Sequence, residues 1–195
     1  MKVKVGLENN YKLFVDLIPA KGKILDIGCG YGFLPYMLSY TSRDRIVTGI
    51  DYDEDKITIA KYGYAKNENT TFHHANALEY NFENQDAIIL NDVLHYLTEN
   101  DQVLLLEKCI SKLNNSGMIV IRDGVKELAK RHRGTRLSEL FSTRLLGFNK
   151  TAAHGLHFIS SQLIESVANR HQLSLSRVDT TKLTSNIIFV LKRST

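Results

Sequence analysis

Apolar residues recur along this chain in short runs separated by longer, half-polar stretches. KILDI (residues 23–27), IVTGI (46–50), DAIILN (86–91) and MIVIR (118–122) have strand length and are rich in Ile and Val. Near-continuous runs of that kind mark strands covered on both faces. TTFHHA (70–75) is a weaker strand. Residues 8–18, ENNYKLFVDLI, predict a short amphipathic helix stopped by Pro19. A helix after KILDI holds Pro35 in its first turn, where a missing N–H costs nothing, and should run to about Ser39. Residues 53–66 predict another. Thr98 opens a helix over 98–113, with Asp101 three residues on, much like a capping box. Asn115, Ser116 and Gly117 predict a turn, and residues 160–172 a last helix. LSLSRVD (173–179) and SNIIFVLKR (185–193) are strands joined only by TTKLT, which implies an antiparallel hairpin at one sheet edge. Strand–helix alternation before that hairpin implies a parallel sheet with helices on both faces. The expected fold is a three-layer α/β sandwich of seven strands, mostly parallel, with ligand sites at the carboxyl ends of the strands.

Composition narrows the class. A length of 195 residues with 43% hydrophobic and 24% charged residues suits one soluble domain over 1–195. No apolar run approaches the roughly 18 residues of a membrane span. MKVKVGLENN has no apolar signal-peptide core. Two cysteines, Cys29 and Cys109, give neither a disulfide framework nor a zinc knuckle. A cytoplasmic protein without a metal is expected. The charge is unevenly spread: residues 122–150 hold eight Lys/Arg against three acids, whereas the rest of the chain is close to neutral.

The chemistry-bearing pattern is Asp26-x-Gly28-x-Gly30-x-Gly32, at the end of the first buried run. Glycines there let the chain turn sharply and a ligand approach the backbone, and the following helix offers free N–H groups. A nucleotide-like ligand competes with a purely structural turn. A dinucleotide fingerprint would be Gly-x-Gly-x-x-Gly, but here the third glycine comes one residue early and Phe33 stands in its place. Asp51, at the end of the second strand, could bind ribose hydroxyls in either case.

The spacing of Asp26 to Gly32 resembles motif I of the class I S-adenosylmethionine-dependent methyltransferases, D/E-x-G-x-G-x-G. HHANALEY (73–80) resembles that family's adenine loop. DAIILNDVLHYL (86–97) resembles its fourth motif, and LLEKCISKLNNSGMIVI (105–121) its next helix, turn and strand. The likeness covers about residues 22–122 and implies a Rossmann-like methyltransferase fold with S-adenosyl-L-methionine as cofactor. It further implies that Gly28, Gly30 and Gly32 pass beside the methionine part, and that Asp26 orients the loop and receives the ammonium. Asp51 would bind both ribose hydroxyls, its competing role being a helix N-cap. Tyr52 would pack on the adenine, Asn76 and the Ala77 N–H would bond it, and Asn91 would lie beside the cofactor.

Methyl transfer from a sulfonium asks the protein mainly to align acceptor and methyl and to exclude water. A base is needed only where the acceptor must lose a proton. His95, His154 and His157 are the candidates, each weighed against a packed or solvated histidine. Residues 123–158 are expected to form a mostly helical lid or acceptor-binding insertion. Leu137, Leu140, Phe141 and Leu145 would face inward, with Arg133, Arg136 and Arg144 at the rim. The local basicity favours an anionic acceptor, small or carrier-linked, methylated on oxygen or carbon. KRHRGTR, GFNKT and TTKLTSNII loosely resemble methyltransferases associated with bacterial aryl-polyene and lipid-type pathways. Asn91-Asp92-Val93-Leu94 lacks the prolines of amino-methylating DNA enzymes, and neither cysteine follows a proline as a cytosine-C5 nucleophile would. RNA or protein docking through the basic segment is the second reading. A non-catalytic cofactor-binding subunit is the third.

Overall fold

The computed structural model describes residues 10–63, 65–131, 157–179 and 186–193. Its elements in chain order are α1 (Asn10–Leu17), β1 (Gly22–Ile27), α2 (Phe33–Thr41), β2 (Arg45–Asp51), α3 (Glu54–Lys61), β3 (Thr70–His74) and β4 (Gln85–Asn91). There follow a 3-10 turn (Leu94–Tyr96), α4 (Glu99–Ser111), β5 (Leu113–Gly124), α5 (Lys126–Arg131), α6 (Ser161–Arg170), β6 (Leu173–Val178) and β7 (Asn186–Arg193).

The strands form one seven-stranded sheet in the order β3-β2-β1-β4-β5-β7-β6. β1 to β5 are mutually parallel, and β7 runs antiparallel between β5 and β6. The expected fold class therefore holds, final hairpin included. Alternate residues of the strands feed two cores. Ile24, Val47, Ile89 and Val120 pack with Phe14 of α1, with Ile18 just after it, and with Leu34 and Leu38 of α2. Leu25, Ile50, Leu90 and Ile121 pack with Leu105 and Leu106 of α4 and with Ile164 and Val167 of α6.

Two element boundaries differ from expectation. Helix α3 stops at Lys61 rather than at 66. The Ala60 carbonyl, which would have received the next helical bond, instead accepts from the Tyr36 hydroxyl at 2.5 Å and from the Gly63 N–H at 3.1 Å. Asn115–Gly117 do not leave the sheet as a turn. They lie within β5 as an irregularity, Gln85 facing Leu113 and Ala87 facing Met118. That absorbs the extra residues without breaking the strand.

The order of connection reverses between β1 and β4. In open α/β sheets the crevice outside that reversal is where ligands bind. Asp26 and the glycine loop flank it from one side, Asn91 and Asp92 from the other.

Candidate cofactor and acceptor site

The glycine loop is built from left-handed backbone, with φ of 75° at Gly28, 55° at Gly30 and 76° at Gly32. The three glycines serve different neighbours. A Cβ on Gly28 would meet Val93 Cγ2 at 2.3 Å, and one on Gly32 would meet the Phe72 ring at 2.6 Å. A Cβ on Gly30 would meet nothing within 4 Å. Gly28 and Gly32 thus fit the loop to the protein, and Gly30 borders open space. The loop is tied to β2: the Gly28 and Cys29 N–H groups donate to the Ile50 carbonyl, and the Gly30 N–H donates to Asp51 Oδ2 at 2.8 Å.

Asp51 also accepts from the Asp53 N–H through Oδ1 at 2.9 Å. Both oxygens are therefore oriented by backbone, and each keeps a lone pair. The N-cap reading of Asp51 is overturned, because Asp53 caps α3 by accepting from the Asp55 and Lys56 N–H groups. Asp26 is 2% exposed. Among the described residues none donates a hydrogen bond to its carboxyl. Burial first, and the charge of Asp51 second, push its pKa well above the ordinary carboxylate value. A buried carboxyl in that position lacks a cation.

Beyond β2, Tyr52 is exposed, with its ring edge-on to His74. His74 Nε2 lies 2.9 Å from the Tyr52 carbonyl oxygen. The Ala75 N–H donates to the Asp51 carbonyl, so the loop after β3 is stitched to the end of β2. Asn76 is engaged by its own turn: Oδ1 accepts from the Leu78 N–H at 3.0 Å and Nδ2 donates to Glu79 Oε1. It is a capping residue first, and only a remaining lone pair of Oδ1 is left for an adenine amine.

On the β4 side, Asp92 has φ 58°, a left-handed conformation uncommon for a non-glycine residue. Its carboxylate accepts from Arg122 Nη1 at 2.5 Å and from Asn186 Nδ2 at 3.3 Å. Asn91 Oδ1 lies 3.4 Å from the same guanidinium. Arg122 belongs to β5 and is 3% exposed. It was counted in the basic segment, but it is a buried partner of Asp92 rather than part of a surface patch.

His95, a candidate base, is packed. Its Nδ1 lies 2.7 Å from Asp123 Oδ1, and its buried Nε2 has no hydrogen-bond partner among the described residues. Burial disfavours the imidazolium, but the Asp123 bond, the Asp123 charge and the Asp92 charge outweigh it and raise the pKa. Asp123 Oδ2 also takes the N–H groups of Val93, Leu94 and His95. His157 is close by: its N–H donates to the His95 carbonyl at 2.8 Å, and its carbonyl accepts from Gln102 Nε2 at 2.7 Å. His154 lies outside the described residues, as do Arg133, Arg136, Leu137, Leu140, Phe141, Arg144 and Leu145. The expected lid cannot begin at 123, because Asp123 and Gly124 are buried in β5.

Sequence reading missed Asp123, Lys108 and the Asp92–Arg122–Asn186 cluster. Asp123 carried a visible signal, since it ends an apolar run as Asp26 and Asp51 do. Asp92, Arg122 and Asn186 lie up to 94 residues apart in sequence and meet through strand register, and Lys108 reaches the loop after β3 from α4.

Residues 24–117 match the family model described as a methyltransferase domain. This stretch, just under half of the chain, is thus similar to a methyltransferase domain. A carboxy-S-adenosyl-L-methionine synthase from Campylobacter concisus is 25% identical over 121 residues, covering 60% of this chain and 50% of the relative. A ribosomal RNA small subunit methyltransferase C from Buchnera aphidicola is 37% identical over 75 residues, covering 38% of this chain and 22% of the relative. The chain thus spans half the length or less of these curated relatives. The magnesium protoporphyrin IX methyltransferase of Synechocystis PCC 6803, solved with bound SAM, superposes with a TM-score of 0.72 at 16% identity, covering 98% of this chain and 82% of that one. This likeness supports the fold. No described helix is long and apolar enough to cross a membrane.

Proposed function

We propose that the protein transfers the methyl group of S-adenosyl-L-methionine to an anionic small-molecule or carrier-linked acceptor, on oxygen or carbon. The observation that carries the cofactor half is the buried Asp26 carboxyl, short of a cation, beside the open face of Gly30 and the backbone-oriented carboxylate of Asp51. These residues fit an amino acid joined to a nucleoside. Asp26 receives an ammonium, Gly30 leaves room for the chain between, and the spare lone pairs of Asp51 accept from ribose hydroxyls. Tyr52 and the Ala77 N–H take the adenine. Bound there, the cofactor supplies a methyl group on a sulfonium.

The protein's own work is alignment and water exclusion. Val93 packs against Gly28 and fixes the β4 turn beside the glycine loop. Asn91 and Asp92 are held at the acceptor side by Arg122. Residues from Val125 to 158 are proposed as the cover of the single domain. His157, pinned to His95, and His154 are the candidate proton acceptors. His95 itself serves this reading as a support under His157.

The anionic character of the acceptor rests on the basic residues after Arg122, since Arg122 is already neutralised by Asp92. The loose aryl-polyene and lipid-type likeness is the reason that carrier-linked acyl groups are included. An RNA acceptor is the alternative, favoured by the likeness of part of the chain to a ribosomal RNA methyltransferase. The test is incubation with methyl-labelled S-adenosyl-L-methionine and fractionated cell extract. Label in low-mass or carrier-protein fractions is expected. Label only in RNA, with binding that weakens steeply as salt rises, establishes the alternative. Calorimetry that shows NAD binding and no S-adenosylhomocysteine binding overturns both.

A further inference from the structure

The loop after β3 is gripped from two sides. On one side Asn76 takes the Leu78 N–H in its side-chain oxygen at 3.0 Å and the Glu79 N–H in its carbonyl at 3.1 Å. On the other, Lys108 of α4 donates through Nζ to the Ala77 carbonyl at 3.2 Å and to the Leu78 carbonyl at 2.8 Å. Two successive peptide groups, Ala77–Leu78 and Leu78–Glu79, are therefore held at both their N–H and their C=O ends. The ammonium lies 5.4 Å from the centroid of the Phe82 ring, over its face. Burial lowers the Lys108 pKa, as expected of an ammonium partly removed from water.

What this double grip leaves is the N–H of Ala77. Among the described residues no acceptor for it is recorded, while Ala75 beside it is tied to the Asp51 carbonyl. Ala77 is half-buried, so its N–H is available to a ligand acceptor. The edge of a purine offers ring nitrogens that accept. We infer that Lys108 is a positioning residue for the cofactor's adenine, holding the Ala77–Leu78 peptide so that the Ala77 N–H meets a ring nitrogen acceptor. The inference rests on the methyltransferase reading and deepens it. It assigns purine selectivity in part to a residue that touches only the loop. An ordinary structural lysine would affect stability and leave the choice of base unchanged.

The probes are S-adenosylhomocysteine and S-inosylhomocysteine, measured by calorimetry on the full chain. Hypoxanthine carries hydrogen on N1 where adenine has a lone pair, so it confronts the Ala77 N–H with another donor. Wild type should prefer the adenosyl ligand. Lys108→Met keeps the apolar stem on Phe82 but removes the donors. It should weaken S-adenosylhomocysteine binding about tenfold, in keeping with the loss of one or two hydrogen bonds. It should also cut the adenosyl-over-inosyl preference about fivefold or more on the same scale. Lys108→Arg, with donors restored, should recover most of the preference. An unchanged preference in folded Lys108→Met, or an arginine variant no better than the methionine one, overturns the inference. Should the methionine variant not fold, the wild-type Ala77 amide decides by NMR. A downfield proton shift with the adenosyl but not the inosyl ligand supports the inference, and equal shifts refute it. Wild type that binds neither probe overturns the methyltransferase reading itself, a result distinct from either of these.

Discussion

Asp26 and Asp51 are acids at the ends of neighbouring strands, yet their surroundings give them opposite characters. Asp51 is satisfied by the Gly30 and Asp53 N–H groups, whereas Asp26 is buried and raised in pKa. For a carboxyl whose folded pKa lies above the unfolded value near 3.9, stability is lost as pH rises from that value through the folded one. Asp26→Asn should therefore melt higher than wild type at neutral pH without ligand, and should bind S-adenosylhomocysteine more weakly. Wild-type affinity should fall as acid protonates Asp26. A variant that melts no higher, or binds as tightly, shows that Asp26 does not wait for the ammonium. In the proposed ribose role, Asp51→Ala would remove two charge-assisted bonds, each about 1.5–3 kcal/mol. A tenfold or greater loss of cofactor affinity should follow, about 1.4 kcal/mol or more, and calorimetry on the folded variant measures it. Asp26 was legible because motif I is local, seven consecutive residues carrying it, and Asp51 because it ends the second apolar run. Asn76 was half legible, since the same amide that could read an adenine also caps its own turn. The Asp92–Arg122 pair was not legible, because 30 residues separate the partners and only the β4–β5 register brings them together.

At the level of elements, the β4 turn, the end of β5 and the segment returning at 157 are hydrogen-bonded into one joint, on the side proposed for the acceptor. Asp123 takes the N–H groups of Val93, Leu94 and His95 together with the His95 ring. Gln102 of α4 donates to the carbonyls of Leu94, Leu97 and His157. The joint is therefore sensitive to the His95 charge. Burial opposes the imidazolium, but Asp123 and then Asp92 raise the His95 pKa above its ordinary value. The stability contributed by that ion pair is fully present below about pH 6.5 and is lost as pH rises through the higher folded value. The denaturant midpoint should decline more steeply over that range in wild type than in His95→Gln, which keeps the Asp26 contribution but lacks that of the ion pair. A wild-type decline no steeper than the variant's across the same range would show that His95 is neutral throughout. Most elements here were legible from apolar periodicity. The two that shifted did so for tertiary reasons: Tyr36 and Gly63 claim the Ala60 carbonyl and end α3, and β4 keeps Asn115–Gly117 within β5.

Over the whole molecule, the sheet sets six strands in one direction and reverses its order of connection between β1 and β4. Everything assigned to the cofactor hangs on loops at that one end, tied to each other through Asp51, Ala75 and Val93. A ligand that spans Asp26, Asp51 and the Ala77 loop cross-links three loops that otherwise meet only through such single bonds. Binding to the folded state alone stabilises by mass action, about 2.7 kcal/mol at a ligand concentration 100 times Kd. For a domain of this size each kcal/mol moves Tm by about 2–4 °C, so S-adenosylhomocysteine should raise it by roughly 5–11 °C. The same excess of NAD should leave Tm unchanged, because Phe33 stands where the dinucleotide fingerprint needs its third glycine for close helix–strand packing. Asp26→Asn and Asp51→Ala should each shrink the shift, whereas Arg136→Ala should leave it intact and weaken only acceptor turnover. Thermal scans of the four proteins at fixed ligand and pH separate these cases. An Arg136→Ala variant that loses the cofactor-induced shift would place the basic segment in cofactor binding and remove the ground for an acceptor-selecting cover.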